Sequence, residues 1–201
     1  MQTSLAFALH PIISIINITG PSGNGTFAVT MSAYTDATYT SPIQEEYRVN
    51  IGDLVYIGIF ATNVDGNTFH LHADSCTASP TKEITAGSTA PLLEGGNAVT
   101  GSDVQIDVIQ NGNSTEVRFD FSSFAFSSNP DSLYITCSVR LCSATEGCSQ
   151  ARAASTDGGA TLSIPVQLNN IIDISSAGHH TAAGWIVLAG SLLAYLSAKV
   201  L

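Results

Sequence analysis

The stretch Leu133-Tyr-Ile-Thr-Cys-Ser-Val-Arg-Leu-Cys142, followed six residues later by Cys148, decides the fold class of this chain. Its odd-numbered positions from Leu133 to Leu141 are apolar or cysteine, and a strand places alternate residues on one face. The even-numbered positions between them carry Tyr, Thr, Ser and Arg. A strand that carries Cys137 inward and ends in two closely spaced cysteines indicates an extracellular β-sandwich stapled by disulfides.

The same alternation with period two recurs through most of the chain, interrupted by turn residues. It predicts further strands near residues 11–18, 27–33, 55–59, 69–73, 104–108, 117–121 and 162–168. Gln110-Asn-Gly-Asn113 separates two of these segments, which predicts a hairpin. Seven or more short strands, with no convincing helix before the C-terminal tail, predict an all-β, immunoglobulin-like sandwich.

The composition argues against several classes of partner. The 201 residues include 6 basic and 16 acidic side chains, which give a formal net charge of −10. Nucleic acids and anionic lipid surfaces are bound by patches of Lys and Arg, so neither is expected here. Low charge with abundant Ser, Thr, Gly and Asn is typical of a secreted, glycosylated β protein. N-x-S/T glycosylation sequons stand at Asn17, Asn24 and Asn113.

The four cysteines allow three disulfide pairings, and their spacing leaves the choice open. They are Cys76, Cys137, Cys142 and Cys148. One of the pairings closes a short loop from Cys142 to Cys148 and a loop of about 60 residues from Cys76 to Cys137. A zinc site is the weaker alternative, because the chain has no C-x-x-C and its histidines are not near the Cys142–Cys148 pair.

Candidate metal-binding or catalytic residues are few. His70-x-His72 is the arrangement that most resembles a pair of metal ligands, with Asp74 next on the same side of the predicted strand. That side lies opposite Phe69 and Leu71 and should face solvent, so two surface histidines are the simpler interpretation. We therefore predict no metal and no cofactor. The sequence has no nucleophile elbow, phosphate loop or H-E-x-x-H motif, so we do not expect an enzyme.

The C-terminal tail at residues 182–201 is apolar apart from Ser191, Ser197 and Lys199. A membrane-spanning helix needs about 20 residues and would have to use the whole tail, with no basic cluster after it. We favour the alternative of a glycosylphosphatidylinositol (GPI) signal over a span, and both over a buried helix. The small residues of the attachment site would be Ser175, Ser176, Ala177 and Gly178.

The N-terminal segment is less informative. Residues 1–9 have the apolar character of a signal peptide but lack a basic region, and Pro11 interrupts the apolar run. We therefore expect the chain to be a fragment, or the product of an incomplete gene model, whose signal peptide lies upstream.

Taken together, these residues resemble the C-terminal half (ZP-C) of the zona pellucida module, the polymerising domain of egg coats and other extracellular matrices. The strand quoted first is similar to the most recognisable motif of that family. Phe119-x-Phe121 and Phe124-Ala-Phe126 resemble its F-x-F segment. Ser75-Cys-Thr-Ala-Ser-Pro80 is similar to its S-C-W-A-T-P, with Thr and Ser in place of Trp and Thr. The resemblance covers roughly residues 11–168.

The resemblance implies a disulfide pairing. Carried over by position, Cys76 pairs with Cys137 and Cys142 pairs with Cys148. The family usually has one further pair, whose positions fall here within Leu92–Gly96 and near Arg152. Both of its cysteines are missing together, so the number of cysteines stays even.

The resemblance also implies a mechanism of assembly. In this family the N-terminal half of the module polymerises, and a propeptide strand beyond a cleavage site blocks assembly until proteolysis releases it. Cleavage would fall near Arg152, which stands alone instead of in the usual basic cluster. The internal hydrophobic patch would comprise Ile12, Ile13, Ile15 and Ile16, and the external patch Leu162, Ile164, Val166 and Leu168.

The expected organisation has four parts. They are a linker with the internal strand at 1–20, a ZP-C-like sandwich at 21–152, a processing region with the external patch and a spacer at 153–181, and the hydrophobic tail at 182–201. The expected partners are other ZP-module proteins or further copies, through a ZP-N half that this sequence lacks, and the membrane through the tail.

The expected function is that of a structural glycoprotein of the secretory pathway, anchored at the cell surface as a precursor and built into extracellular matrix after cleavage. One alternative is a membrane-anchored receptor or adhesion module that binds a ligand without polymerising. A second is a metal-dependent or lectin-like binder that uses His70, His72 and Asp74.

Overall fold

A computed structural model describes residues 11–20, 25–85, 87–101, 103–148 and 159–169 of the chain. Over these residues the protein is all-β, with eleven strands and no helix. The strands are β1 (Ile13–Thr19), β2 (Thr26–Tyr34), β3 (Val49–Asn50), β4 (Leu54–Thr62), β5 (Phe69–Ser79), β6 (Ala90–Glu94), β7 (Asn97–Ala98), β8 (Ile106–Gln110), β9 (Glu116–Ser122), β10 (Ser132–Ser143) and β11 (Ala160–Asn169).

The strands form two sheets whose inner faces share one hydrophobic core. The five-stranded sheet has the order β1-β2-β4-β9-β8, and the six-stranded sheet has the order β3-β11-β10-β5-β6-β7. The inward residues follow the predicted alternation, because successive side chains of a strand point to opposite faces. In β4, for example, Val55, Ile57 and Ile59 are fully buried, and Tyr56 and Phe60 point outward. The prediction of an all-β sandwich is confirmed.

Strand β10, which contains the stretch quoted first, lies inside the six-stranded sheet between β5 and β11. Leu133, Ile135, Cys137 and Val139 are fully buried, and the residues between them are partly exposed. Both partners of β10 run antiparallel to it. The strand therefore pairs with β5, which precedes it in the sequence, and with β11, which follows it.

Two disulfides hold this sheet, with the pairing that the family resemblance implies. Cys76 of β5 and Cys137 of β10 stand directly opposite each other and are bridged across 61 residues of chain. Cys142 and Cys148 close a short loop of six-residue separation at the end of β10. In the chain-entropy account the long loop contributes about 4 kcal/mol and the short one about 2 kcal/mol to stability.

The predicted hairpin is present as the antiparallel pair β8–β9, which places Val108 beside Phe119 and Asp107 beside Asp120. Its turn contains Gly112 with a φ of 77°, a left-handed conformation that glycine adopts without steric cost. The apolar side chains of β9 face the core, so its polar residues lie on the outer face of the five-stranded sheet.

Among the residues that the structure describes, no helix is long and apolar enough to cross a membrane. The hydrophobic tail at 182–201 lies outside the described residues.

The glycine in the middle of β4 provides a direct test of packing on the outer face of the five-stranded sheet. A Cβ added at Gly58 would lie 2.6 Å from Cε2 of Phe60 and 3.0 Å from Cε2 of Tyr34. We expect Gly58→Ala to lower the free energy of unfolding by about 1–3 kcal/mol, because the rings must move. Chemical denaturation of the purified protein measures this change.

The matched control is Gly66→Ala, whose Cβ would meet only Cγ2 of Thr115, at 3.5 Å. This substitution should change the free energy of unfolding by less than about 0.5 kcal/mol. Equal stabilities of the two variants would show that the aromatic side chains beside Gly58 are not tightly packed.

Candidate assembly site around strand β11

The residues expected to form the external patch are core residues of the sandwich. Leu162, Ile164, Val166 and Leu168 are each exposed by 1% or less and belong to the core cluster shared by both sheets. Strand β11 is therefore an integral strand of the six-stranded sheet, and its inward side chains form part of the core. Its removal would open the core on the side of β10.

One edge of β11 carries nearly all of its backbone pairing. Residues 160–167 pair with β10, whereas β3 on the other edge pairs only with Leu168 and Asn169. Pro165 has no N–H to donate and is tolerated in a strand where a ladder hydrogen bond is not needed. The strand is thus bound strongly on one side and weakly on the other.

The end of β11 is held by residues that are distant in sequence. Leu168 donates its N–H to the carbonyl oxygen of Asp131 at 2.8 Å and accepts a longer bond, 3.4 Å, from Nη1 of Arg48. The side chain of Asn169 donates to Oδ1 of Asn50 at 2.9 Å. Sequence reasoning did not identify these residues, since no local pattern shows which polar residues meet a strand that follows much later in the chain, as Arg48 and Asn50 do at separations of 120 and 119 positions.

The internal patch lies at the start of β1, and β1 contacts β11 where the edges of the two sheets meet. Ser14 of β1 accepts a 3.4 Å hydrogen bond from the backbone N–H of Ser163. Of the four expected patch residues, Ile12 is buried and Ile16 is partly buried against the core, whereas Ile13 and Ile15 are 43% and 65% exposed. The four isoleucines therefore divide between two faces, as the alternation of a strand requires.

An open cleft of about 400 Å³ lies where the start of β1 meets β11. It is lined by Pro11, Ile12, Ile13, Glu45, Pro165 and Gln167. The two expected patches are therefore neighbours at this edge of the domain.

The candidate metal ligands lie elsewhere, on β5 next to the Cys142–Cys148 loop. Arg140 donates from Nε to both carboxylate oxygens of Asp74, at 2.8 and 3.0 Å, and from Nη2 to the carbonyl oxygen of Cys148 at 2.9 Å. His72 Nε2 stands 3.6 Å from Asp74 Oδ1. Within the described ranges, no three side chains of His, Cys, Asp or Glu converge as metal ligands would. The arrangement instead ties the disulfide loop to β5.

The expected solvent exposure of both histidines was wrong for His72, whose side chain is only 13% exposed. Two turns cover it: a Cβ on Gly96 would lie 2.4 Å from its Cε1, and a Cβ on Gly112 would lie 2.8 Å from its Nδ1. Asn111 fixes these turns by donating to the carbonyl oxygens of Ala73 and Gly96, at 3.0 and 2.9 Å. His70 is partly exposed, at the position opposite Cys142.

Burial lowers the pKa of His72, an effect that Asp74 opposes and Arg140 reinforces. Unfolding restores an ordinary pKa of about 6.5, so near that pH and below it the unfolded chain binds more protons than the folded one. The stability contributed by neutral His72 is therefore present above pH 6.5 and is lost as the pH falls towards the depressed value.

We expect the urea midpoint of the wild-type protein to fall between about pH 7.5 and about pH 5, and His72→Gln to show a smaller fall. The control is His70→Gln, which should keep the wild-type dependence on pH. Identical slopes for the wild-type and His72→Gln proteins would mean that His72 does not contribute to the pH dependence.

Some of the expected glycosylation, cleavage and anchor positions lie within the residues that the structure describes, and others lie outside them. Asn17 lies on the outward face of β1, and Asn113 lies in the β8–β9 turn, and both are exposed. Asn24, the cleavage position near Arg152, and the anchor residues Ser175, Ser176, Ala177 and Gly178 lie outside the described residues.

The fold, the buried disulfide between β5 and β10, and the short disulfide loop after β10 define a disulfide-stapled β-sandwich of the extracellular type. A sequence model of the ZP-C domain matches residues 23–152. The chain therefore belongs to the zona pellucida family, and the recognition made from its motifs is confirmed.

Three curated relatives illustrate this membership. The pancreatic secretory granule membrane major glycoprotein GP2 of Canis lupus familiaris is 31% identical over 201 residues, which cover 97% of this chain and 39% of that protein. Alpha-tectorin of Gallus gallus is 29% identical over 143 residues, 71% of this chain and 7% of that protein. Uromodulin of Rattus norvegicus is 32% identical over 143 residues, 71% of this chain and 22% of that protein.

The chain spans well under two thirds of the length of these relatives. Its relatives are zona pellucida-type glycoproteins and not enzymes, which confirms the prediction that the chain is not an enzyme. The same relationship supports the secretory pathway or the extracellular space as its location.

Proposed function

We propose that the chain is the ZP-C part of a filament- or matrix-forming extracellular glycoprotein, in which β11 masks an assembly edge until proteolysis releases it. The observation that carries this proposal is the position of β11, which fills the core and covers the edge of β10. An unpaired strand edge beside exposed apolar side chains is a ready surface for pairing with another chain.

The energetics of β11 support release by cleavage instead of spontaneous opening. The strand buries four large apolar side chains, and full burial of each contributes about 1.5–3 kcal/mol. While the chain is continuous, any transient opening is reversed by an intramolecular event at high effective concentration. Cleavage upstream of β11 removes the covalent tether and with it the high effective concentration. A strand that then dissociates would diffuse away instead of rebinding.

The position of cleavage is proposed from the sequence between Cys148 and Ala160. Arg152 is the basic residue in this interval, and cleavage near it would leave both disulfides in the retained part. The proposed anchor at Ser175–Gly178 would hold the precursor at the membrane, downstream of β11. The proposed partners are other ZP-module proteins, or a further copy of the same protein.

A specific protease site substituted for residues 153–157 tests the masking role of β11. We expect the nicked protein to retain β11 at first and then to exchange it for a fluorescent peptide spanning residues 159–169. Loss of β11, measured by size-exclusion chromatography, should produce binding of an apolar dye, because the core and the edge of β10 are then uncovered. A nicked protein that loses β11 without binding the dye would contradict the masking role.

Matched variants separate the two faces of β11. Ile164→Asp with Val166→Asp places charges in the core and should speed the loss of the nicked strand by at least about tenfold, since burying an unpaired charge is costly. Thr161→Asp with Gln167→Asp places the same charges on the outward face and should leave the exchange rate within about threefold of the starting protein. Equal exchange rates for the two pairs would argue against core burial as the retaining force.

Mass spectrometry of the protein secreted by eukaryotic cells separates the proposed function from that of a permanent receptor. A mature C-terminus between Cys148 and Leu162 is the expected result. A lipid-bearing C-terminus near Ser175–Gly178, with β11 retained in the mature protein, would instead favour an adhesion module that stays at the membrane.

A further inference from the structure

Strand β1 presents apolar side chains to solvent on the outer face of the five-stranded sheet. Ile13 and Ile15 are 43% and 65% exposed, and Ile15 is the most exposed large apolar side chain in the described part of the chain. β1 stands last in its sheet, with β2 as its neighbour. An apolar strand at the edge of a sheet is a template for pairing with another chain unless something protects it.

The devices that usually protect an edge strand are absent from β1. Residues 11–34, which contain β1, β2 and the connection between them, include no Asp, Glu, Lys, Arg or His. β1 itself contains no proline, and its register with β2 runs without a bulge from Ile13 to Thr19. Charges, prolines and bulges are the common means of preventing association at such an edge. The protection of β1 must therefore come from a different chemical group.

The outer face of β1 also carries the glycosylation sequon Asn17-Ile-Thr19. Because successive side chains of a strand alternate, Ile13, Ile15 and Asn17 stand in one column on this face. Asn17 is exposed, and it follows Ile15 at a distance of about 6.8 Å along the strand. A group attached to the Asn17 side chain therefore begins within reach of Ile15.

The neighbours of Asn17 across the sheet are small. The register places Ala28 of β2 beside Asn17, and Thr62 of β4 beside Ala28. The side-chain hydroxyl of Thr62 donates to the carbonyl oxygen of Ala28 at 3.2 Å. In the adjacent row Thr30 stands beside Ile15. These residues form a shallow floor next to Ile15, on which a saccharide can lie without displacing a large side chain.

We propose that Asn17 carries an N-linked glycan whose first sugars lie on this floor and cover Ile15. In the transfer, the side-chain amide nitrogen of Asn17 attacks C1 of a lipid-pyrophosphate-linked oligosaccharide, loses one proton and displaces the lipid pyrophosphate. An N-linked glycan is bulky and solubilising. The C–H groups of a sugar ring can contact Ile15 while its hydroxyl groups face water, so the glycan replaces the missing charges as the protection of β1.

The glycan covers one end of β1 and leaves the other end open. Ile13 is four residues, or about 13 Å, from Asn17 and lines the cleft beside Pro165 of β11. A glycan at Asn17 would block association across the outer face near Ile15 and direct any association of β1 towards the side of β11. This inference concerns the intact chain and does not depend on the release of β11.

Glycopeptide mass spectrometry and analytical ultracentrifugation test the proposal on the full chain, produced in eukaryotic cells behind an added signal peptide. We expect a glycan at Asn17 in the wild-type protein. Asn17→Gln and Thr19→Ala each remove the sequon, and both variants should bind more of an apolar dye and self-associate at least about tenfold more tightly. A tenfold change corresponds to about 1.4 kcal/mol, which burial of the exposed part of Ile15 can supply.

Two matched controls accompany these variants. Thr19→Ser keeps the sequon, and Asn113→Gln removes the sequon in the β8–β9 turn, at the opposite edge of the same sheet. Both should bind dye and sediment like the wild-type protein. Since all variants share the same C-terminal tail, differences between them report on β1. Ile15→Thr combined with Asn17→Gln should restore the wild-type behaviour, because the exposed apolar side chain is then absent.

Enzymatic deglycosylation of the folded protein separates covering from an effect of the glycan on folding. A glycosidase applied to the folded wild-type protein should increase dye binding and self-association, and the same treatment of Ile15→Thr should not. An unmodified Asn17 in the wild-type protein would overturn the proposal. It would equally be overturned if deglycosylated wild-type protein matched the glycosylated protein in both measurements, or if deglycosylated Ile15→Thr associated as tightly as deglycosylated wild type.

Discussion

The pairing of β10 with its two neighbours is the interaction on which the rest of the domain depends. On one side the Cys76–Cys137 bridge joins β10 to β5 covalently, so this pair cannot separate without reduction. On the other side β11 is held by backbone hydrogen bonds and by the burial of four apolar side chains. The proposed release of β11 rests on this asymmetry, because the Cys76–Cys137 bridge retains β5 beside β10 and β11 carries no cysteine.

The consequences of losing β11 extend beyond its own position. Its last residues contact Asp131, Arg48 and Asn50, and Ser163 contacts β1. The segment of residues 35–48, between β2 and β3, carries Tyr39, whose ring packs against those of Tyr34 and Tyr56. It also carries Ile43, a core residue whose carbonyl oxygen accepts a hydrogen bond from the N–H of Ile12. The contacts of β11 therefore reach β1 in the five-stranded sheet, β3 in its own sheet, and Arg48 in the segment 35–48.

Sequence reasoning succeeded where the information is local. Alternation places Leu133, Ile135 and Cys137 on one face without knowledge of any neighbour, and the Asn-Gly turn identifies the β8–β9 hairpin. It failed where burial depends on segments distant in the chain. His72 occupies an outward position of β5 but is covered by the turns that contain Gly96 and Gly112. Asp120 occupies an outward position of β9 and is nevertheless only 8% exposed. Periodicity describes one strand and cannot show what packs on its outer face.

The same limit explains why the patch on β11 could be predicted more completely than the one on β1. Every second residue of β11 from Leu162 to Leu168 is apolar, so its inward face follows from parity alone. In β1 both parities contain isoleucine, and only the pairing of Ile16 with Val29 shows which set faces the core. An edge strand that exposes Ile13 and Ile15 beside β11 keeps apolar surface outside a fully formed core. Such surface is unnecessary for folding, and it is what a strand that takes part in assembly would require.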